Sequence, residues 1–222
     1  MKLGVIAAMT SEIDYLVAHC ELVNKIKLKQ QIFYQCEIGD YELIVVASGV
    51  GKTNATMYTQ ILIDFFEPNG IINIGIGGAL KQTIKPLDLV LGTSFSHHDV
   101  SIEQMNNLFP YTSIFKSDAT LVKMFGDYIP KENQGLIVSG EMFIAANKAK
   151  QVIIETFDPL LVDMETSSMA HCCYINEVPF TSIRSVSDLA NDEADKSYKV
   201  NELVAADVAG KAVLDVLRNI SL

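Results

Sequence analysis

Three carboxylates follow apolar runs of the sequence at points where a strand would end. Glu12 comes after MKLGVIAAM, Glu165 after LLVDM and Asp188 after SIRSVS. Each has an ordinary structural explanation on its own, because Glu12 and Glu165 could complement the charge of a helix N-terminus and Asp188 could cap a turn or form an ion pair. Together with Arg184, in the run before Asp188, and Phe143 at another strand end, they indicate an acidic cleft with an aromatic platform. Such a cleft suits a neutral heterocycle attached to a sugar.

Buried strands of a sheet must position these residues. Short apolar, β-branched runs alternate along the chain with longer amphipathic stretches. The strands are mostly continuous apolar runs, which predicts a mixed or parallel sheet with helices over both faces. Ligands bind outside the carboxyl ends of the strands in such a fold, so the polar residues there are expected to converge on one site. We predict strands over 2–8, 32–37, 41–47, 70–75, 88–92, 134–138, 160–164 and 180–187, and helices over 11–19, 52–66, 118–128, 145–157, 165–176 and 199–219.

The 222 residues are predicted to form one α/β domain over 1–222. A hydrophobic share of 49% is ample for a sizeable core. The sequence contains no linker, low-complexity tract or internal repeat. The segment 93–117, with Pro110 and many polar residues, has the least predicted structure, and a loop of that length in a compact domain is often functional.

The charge and the cysteines argue against several classes of function. The formal net charge is −10, and arginine occurs only at Arg184 and Arg218, so the clustered basic face of a nucleic-acid-binding protein is not expected. No apolar run approaches the ~20 residues of a membrane span. The four cysteines lie in apolar contexts without CxxC spacing, which predicts packed thiols and no disulfide scaffold. We expect a cytoplasmic protein that handles a neutral or cationic small molecule.

Two glycine-rich segments come close to nucleotide-binding motifs without matching them. In VVASGVGKTNAT, the pattern G-x-x-x-x-G-K-[ST] requires glycine at the position of Val46. In INIGIGGAL, the pattern G-x-G-x-x-G requires glycine at the position of Leu80. We therefore predict a strand-to-helix turn with Lys52 near the surface in the first segment. In the second we predict a close approach of the backbone to a ligand or a neighbouring helix.

The histidines do not form a convincing metal site. His97 and His98 are adjacent, so their side chains would point to opposite faces of a strand, and His171 lies in an apolar helix pattern. Hydrogen-bonded structural histidines without a bound metal are the prediction.

Six segments carry a recognisable pattern: GVIAAMTSE, SGVGKTNA, INIGIGGAL, LIVSGEMFI, VDMETSSMAH and VPFTSIRSVSDLAND. They cover essentially the whole chain. The combination of Glu12 after the first strand with the pairs Phe143-Ile144, Met164-Glu165 and Ser187-Asp188 is specific. In these features the chain resembles the methylthioadenosine/S-adenosylhomocysteine nucleosidases of the purine nucleoside phosphorylase superfamily. The resemblance implies a nucleoside phosphorylase-like fold, which is a single-domain three-layer sandwich with a mixed central β-sheet flanked by helices. It also implies that the SGVGKTNA turn is structural.

The resemblance implies hydrolysis of the N-ribosidic bond of methylthioadenosine or S-adenosylhomocysteine. Asp188 matches the general acid that binds the adenine, and Glu12 matches the carboxylate that positions and activates the attacking water. Inverting glycosidases likewise have an acid and a base on opposite sides of the scissile bond. Arg184 and Ser187 match residues that orient the water-side and the acid-side carboxylates.

The resemblance also implies a substrate-binding set and no cofactor. Glu165, with Met164 beside it, matches the carboxylate that holds the ribose, and Phe143 matches the aromatic ring that stacks on the base. Ile144 matches the position whose backbone reads the adenine edge, and Tyr198 matches the aromatic residue that covers the 5′-thio substituent. The set is completed by Met9 and Ile76.

Two departures from the family pattern concern the substrate. Ile76 stands where the family has a small hydroxyl residue, which removes one polar contact to the water or the ribose. The 93–117 segment is shorter than usual, and in the family this region comes partly from a partner subunit and lines the 5′-substituent pocket. A homodimer is therefore implied. Apolar residues in this segment are consistent with an interface, although they could instead fold back onto their own core: Ile102, Met105, Leu108, Phe109, Tyr111 and Ile114.

Other functions stay open at this point. One is a purine-nucleoside hydrolase with a different 5′-substituent, such as a futalosine-type substrate, and another is a weakly active relative that binds nucleosides. The presence of Glu12, Glu165 and Asp188 together favours an enzyme over a pure binder. A carboxylate at the position of Glu12 repels phosphate and favours water, so hydrolysis is predicted rather than phosphorolysis.

Overall fold

The structure, a computed structural model, describes residues 1–219 apart from the side chain of Asp195. Within this range, ten strands form one sheet with helices packed on it. The strands are β1 (Lys2–Ala7), β2 (Glu21–Leu28), β3 (Gln31–Ile38), β4 (Tyr41–Ala47), β5 (Gly70–Ala79), β6 (Leu89–His97), β7 (Phe115–Lys116), β8 (Gln134–Ser139), β9 (Leu161–Asp163) and β10 (Phe180–Asp188). The helices are α1 (Thr10–His19), α2 (Lys52–Phe66), α3 (Ile102–Asn107), α4 (Ala119–Gly126), α5 (Asn147–Phe157), α6 (Thr166–Ile175) and α7 (Ala194–Asn219).

The sheet is mixed and closes partly on itself. β1 pairs in parallel with β4 and β5, and β5 pairs in parallel with β10, whereas β3 and β2 extend one edge as antiparallel strands. β6, β8 and β9 complete a ring with β5 and β10, because β10 pairs with both β5 and β6. The parallel arrangement brings the carboxyl ends of β1, β5 and β10 to the same edge of the sheet. The predicted α/β fold with a mixed central sheet is confirmed.

Two apolar cores lie on opposite faces of the sheet. On one face, Leu16 of α1, Phe125 of α4 and Val213 of α7 are buried against the strands. On the other face, Leu62 of α2 and Met169 of α6 are buried in the same way. Burying such a side chain fully contributes roughly 1.5–3 kcal/mol, so helices fixed on both faces hold the strand ends in place. The arrangement is the predicted three-layer sandwich.

Some predicted element boundaries are wrong. The prediction omits β2, because most of its residues are exposed and no apolar run marks it. It also ends the strand at 88–92 too early, since β6 continues to His97. The segment 93–117 is not a long loop, because it contains the end of β6, the short helix α3 and the strand β7.

Three further predictions can be compared with the structure. All four cysteines are free thiols, and Cys36, Cys172 and Cys173 are buried, which confirms the predicted packing role. No helix within residues 1–219 is long and apolar enough to cross a membrane. A single domain with the bounds 1–222 stays a prediction, and its last three residues lie outside the described range.

Candidate active site

A cavity of about 290 Å³ lies where the carboxyl ends of β1, β5, β9 and β10 meet. It brings together most of the residues that the sequence analysis selected, namely Met9, Glu12, Ile76, Phe143, Met164, Glu165, Ser187, Asp188 and Tyr198. Two of the selected residues are not in its lining. Ile144 lines a smaller adjoining cavity, and Arg184 lies behind the lining with 1% of its surface exposed.

Glu12 lies in the first turn of α1, and backbone donors surround its carboxylate. Oε2 accepts hydrogen bonds from the N–H groups of Ala8 (3.0 Å) and Met9 (2.8 Å), and Oε1 accepts one from Ile76 (2.9 Å). Nη1 of Arg184 lies 3.8 Å from Oε1. Burial raises the pKa of Glu12 above its usual value, although the Arg184 charge and the backbone donors oppose this shift. A carboxylate that is held rigidly and made more basic by burial is suited to accept a proton from water.

Arg184 belongs to a buried polar network that sequence reasoning missed. Its Nη2 lies 2.9 Å from Oδ2 of Asp163 and 2.8 Å from Oδ1 of Asn73, and its Nη1 donates to the Ile76 carbonyl at 3.1 Å. The hydroxyl of Thr166 accepts from Arg184 and donates to Asn73. The one available signal was Asn73 inside the apolar run GIINIGIGG, because a buried amide needs hydrogen-bond partners.

Glu165 is the N-cap residue of α6, but its carboxylate reaches the turn before α2. Oε1 of Glu165 accepts a hydrogen bond from the Gly51 N–H at 2.9 Å. The next N–H, that of Lys52, donates to Glu141 at 3.1 Å, and the Lys52 ammonium lies 2.5 Å from Asp99. The SGVGKTNA turn therefore gives its N–H groups to carboxylates of the protein itself, which agrees with a structural turn. Lys52 is only partly exposed, so its predicted surface position is only partly right.

The carboxyl group of Glu165 has a pKa that is unusually close to neutral pH. Burial, followed by the neighbouring charge of Asp163, raises the pKa of Glu165 to about 7, against the opposing effects of Arg184 and the Gly51 N–H. A carboxyl group that titrates near neutrality inside a cavity is typical of a functional site.

Asp188 is held at the end of β10 by donors to both of its oxygens. Oδ2 accepts a hydrogen bond from the Ser187 hydroxyl at 2.7 Å, and Oδ1 accepts one from the Ala190 N–H at 2.8 Å. Nearby, the Lys150 ammonium donates to the Leu189 carbonyl at 2.6 Å, and burial lowers the pKa of Lys150 against the opposing effect of the Asp188 charge. These contacts fix the orientation of the Asp188 carboxyl group in the wall of the cavity.

Aromatic and apolar side chains form another part of the wall. The rings of Phe143 and Tyr198 meet edge to face, with centroids 5.7 Å apart, and Phe143 is 42% exposed. The Tyr198 hydroxyl lies 3.5 Å from Sδ of Met9, and both residues pack against Ile76. The cavity therefore offers an aromatic surface for a planar ligand beside an apolar patch.

Two glycines of β5 leave room for the charged side chains. A Cβ atom on Gly75, whose φ is +150°, would lie 2.4 Å from both Oε1 of Glu12 and Nη1 of Arg184. A Cβ atom on Gly78 would lie 2.9 Å from Oδ1 of Asp188. The predicted close approach of the backbone is therefore present, and the neighbours are the charged side chains of the site, among them Glu12 of helix α1.

The histidines differ from their prediction. Nδ1 of His97, Nε2 of His98 and Nε2 of His171 are buried without a hydrogen-bond partner, so the expected hydrogen bonds are missing at these atoms. His171 instead stacks on Phe115, with ring centroids 4.4 Å apart. Burial lowers the pKa of His97 to about 4, which keeps it neutral at physiological pH. Among the residues that the structure describes, no group of three or more His, Cys, Asp or Glu is arranged to hold a metal ion.

Known proteins share both this fold and this sequence pattern. A family model described as the phosphorylase superfamily matches residues 2–219. The 5′-methylthioadenosine/S-adenosylhomocysteine nucleosidase of an Exiguobacterium strain is 34% identical over 234 residues, with 99% of each chain covered. The corresponding protein of Staphylococcus epidermidis is 33% identical over 89% of this chain and 90% of its own. Among solved structures, that of the S. pneumoniae nucleosidase with a transition-state inhibitor has a TM-score of 0.94 at 29% identity over the full length of both chains.

The chain therefore belongs to the phosphorylase superfamily and, within it, to the family of 5′-methylthioadenosine/S-adenosylhomocysteine nucleosidases. Its predicted family and its predicted class, a nucleosidase-type hydrolase, are confirmed. A futalosine hydrolase from Helicobacter pylori has a TM-score of 0.91 but only 24% identity, so that similarity shows the shared fold alone.

Proposed function

We propose that this protein hydrolyses the N-ribosidic bond of 5′-methylthioadenosine, S-adenosylhomocysteine or both, and releases adenine and the 5′-thio-ribose. One observation carries the proposal. Glu12, Glu165 and Asp188 come from separate strand ends, are buried, and line a single cavity. The names of the relatives at 33–34% identity supply the substrate class.

The acid side of the reaction is assigned to Asp188. An adenine anion is a poor leaving group, so a proton must reach the purine as the bond to the ribose breaks. Donors from Ser187 and Ala190 hold the carboxyl group in the cavity wall, where a purine on the Phe143 ring can meet it. A positioned general acid contributes ~10²–10⁴-fold to such a step.

The water side is assigned to Glu12. Its carboxylate is oriented by three backbone N–H groups and has a raised pKa, both of which favour removal of a proton from an attacking water. Glu165 is assigned to the ribose hydroxyls, with Met164 beside the sugar. An ionised Glu165 also stabilises the positive charge that develops on the sugar.

Water is favoured over phosphate by the charges around the cavity. Four carboxylates line it, those of Glu12, Asp163, Glu165 and Asp188, against the one lysine Lys199, and the Arg184 guanidinium behind them already contacts Asp163 and lies near Glu12. An incoming phosphate dianion would be repelled, because like charges at short range in a poorly solvated site interact strongly.

The homodimer is also part of the proposal. Four apolar residues of the 93–117 segment are exposed on the single chain, with exposed fractions of 62% for Leu108, 67% for Phe109, 70% for Tyr111 and 39% for Ile114. Ile102 and Met105 are partly buried, and Met105 packs against its own core. The exposed four support an interface with a second copy whose segment would complete the 5′-substituent pocket. The cytoplasmic location stays a prediction.

A direct test is a substrate panel without phosphate. The purified protein is incubated with methylthioadenosine, S-adenosylhomocysteine and inosine, and the free bases are separated by chromatography. We expect adenine from at least one of the first two compounds and much slower release of hypoxanthine from inosine. Glu12→Gln should abolish the release, whereas Glu132→Gln at an exposed site serves as the matched control. Faster cleavage of inosine, or full activity in Glu12→Gln, would reject the proposal.

A further inference from the structure

Asp163 is a buried carboxylate of the cavity lining to which the proposed chemistry assigns no role. Its Oδ1 accepts hydrogen bonds from the Ser139 hydroxyl (2.5 Å) and from the N–H groups of Glu165 and Thr166 (3.2 Å each). Its Oδ2 contacts the Thr166 hydroxyl and lies 2.9 Å from Nη2 of Arg184. Side-chain exposure in the pair with Arg184 is 1% for the guanidinium and 2% for the carboxylate. Asp163 is therefore fixed in place by the backbone that carries Glu165.

The guanidinium of Arg184 lies at different distances from the acids near it. It makes a close ion pair with Asp163 at 2.9 Å, whereas its distance to Glu12 is 3.8 Å and no hydrogen bond joins those two side chains. Three carboxylates, those of Glu12, Asp163 and Glu165, thus depend on one cation. The guanidinium interacts most strongly with Asp163, because Asp163 is the only one of the three in direct contact with it.

We infer that Asp163 is a positioning residue that takes up the charge of Arg184, so that this charge does not neutralise Glu12, which accepts a proton from water, or Glu165, which binds the ribose. This inference rests on the proposed function, because it assigns Asp163 the task of setting the charge state of the two carboxylates that face water and ribose. Without Asp163, Arg184 would neutralise those two groups instead.

The groups that face Glu165 agree with this arrangement. Asp163 from β9 and Glu12 from α1 oppose its ionisation, whereas Arg184 from β10 and the Gly51 N–H before α2 favour it. From α7, the Tyr198 hydroxyl stays neutral, because burial, followed by the charges of Glu202, Glu12, Asp188 and Glu165, raises its pKa to about 12. Among these groups, the charge of Asp163 has the largest effect after burial itself.

The direction of the expected change follows from charge alone. Asp163→Asn removes a negative charge next to Glu165 and frees Arg184 to interact with it, so the ionised form of Glu165 becomes more stable. An opposite charge within ~4–6 Å lowers the pKa of a carboxyl group by ~1–3 units. The titration midpoint of Glu165 should therefore move from about 7 to lower pH by at least about one unit. Glu12 becomes a weaker base by the same argument, which lowers kcat at the optimum.

The test measures titration directly as well as activity. Protein labelled with ¹³C at the glutamate side-chain carboxyl is titrated by NMR, and the Glu165 signal is assigned from its loss in Glu165→Gln. We expect a lower midpoint in Asp163→Asn, a midpoint near that of the unmodified protein in Asp163→Glu, and no change in Asp158→Asn. Asp158 is the matched control, because it is an exposed aspartate that pairs with Lys81 away from the cavity.

The acid limb of kcat/KM against pH should move with the midpoint. If Asp163→Asn does not fold, Asp163→Ser removes the same charge without placing an amide against Arg184, and the same downward shift is expected. An unchanged Glu165 midpoint in the folded neutral variant would overturn the inference, as would a midpoint that Asp163→Glu fails to restore. Because the NMR titration needs no turnover, absence of nucleosidase activity in every protein would reject the proposed function while the inference is still tested by the midpoints.

Discussion

The carboxylates of the cavity differ at the residue scale in what holds them. Asp188 receives donors from Ser187 and Ala190, whereas Glu12 receives three backbone N–H groups and lies near a guanidinium. In the proposed reaction these two acids have opposite tasks in proton transfer, Asp188 as the donor and Glu12 as the acceptor.

The first prediction concerns the proposed proton donor. Asp188→Asn keeps the size of the side chain and an oxygen for its neighbours, but an amide cannot deliver a proton to the departing purine. We expect kcat to fall by ~10²–10⁴-fold while the far-UV circular dichroism spectrum stays unchanged. Asp207→Asn on α7 is the control, since residue 207 is not in the cavity wall. A variant at position 188 that retains most of the activity would remove Asp188 from the mechanism.

The second prediction concerns Glu165 and the stability of the fold. The folded-state pKa of about 7 lies above the ordinary value of 4.5, so the contribution of Glu165 to stability is fully present below pH 4.5 and is lost as the pH rises through 7. At about 1.4 kcal/mol per unit, the loss is ~3 kcal/mol. Glu165→Gln has no charge to bury. The melting temperature of Glu165→Gln minus that of the unmodified protein should therefore be larger at pH 8.5 than at pH 5. An equal difference at both pH values would contradict the assigned pKa.

At the element scale, the sequence selected most of the residues that line one cavity, but it did not predict every strand. Buried strands such as β1, β4 and β5 are marked by continuous apolar runs, and the acids at the ends of β1, β9 and β10 were selected by their position after an apolar run. The edge strand β2 has mostly exposed residues, so local pattern carries no sign of it. The closure of the sheet through β10 depends on pairing between distant segments, which no local pattern encodes.

The buried network behind the site escaped prediction for a related reason. Asp163 lies in the predicted strand 160–164, but its partner Arg184 is 21 positions away and their pairing depends on the register of β9 and β10 within the closed sheet. Asn73 and Thr166 look like ordinary polar residues until the fold brings them into contact. Sequence reasoning therefore selects single residues at strand ends more readily than the groups that orient them.

The third prediction tests how β5 shapes the site. In Gly75→Ala, the new methyl group would collide with Glu12 and Arg184, whose atoms lie 2.4 Å from the position of Cβ. Overpacking of this kind costs roughly 1–3 kcal/mol and would displace the Glu12 carboxylate. We expect a lower melting temperature and a loss of kcat beyond tenfold. Gly126→Ala is the control, because the nearest side-chain atoms there are 3.8 Å and 3.9 Å away. A fully active Gly75→Ala protein would show that the Glu12 position is not critical.

At the scale of the whole molecule, the fourth prediction concerns assembly. Phe109→Asp places a charge in the exposed apolar group of the 93–117 segment and should weaken both dimerisation and affinity for the 5′-thio substituent. Analytical ultracentrifugation at micromolar concentration, beside KM for methylthioadenosine, measures both. Val23→Asp is the control, because Val23 is a similarly exposed apolar residue on the edge strand β2. A fully active monomeric protein without the substitution would contradict the proposed dimer.

The central claim is that this cavity uses water, and not phosphate, to cleave the nucleoside. The most direct measurement is the reaction of methylthioadenosine in H₂¹⁸O, with and without inorganic phosphate, followed by mass spectrometry of the sugar product. The predicted result is methylthioribose with one ¹⁸O atom at the anomeric position and the same rate of adenine release under both conditions. Turnover that requires phosphate and yields a sugar 1-phosphate without ¹⁸O would contradict the claim.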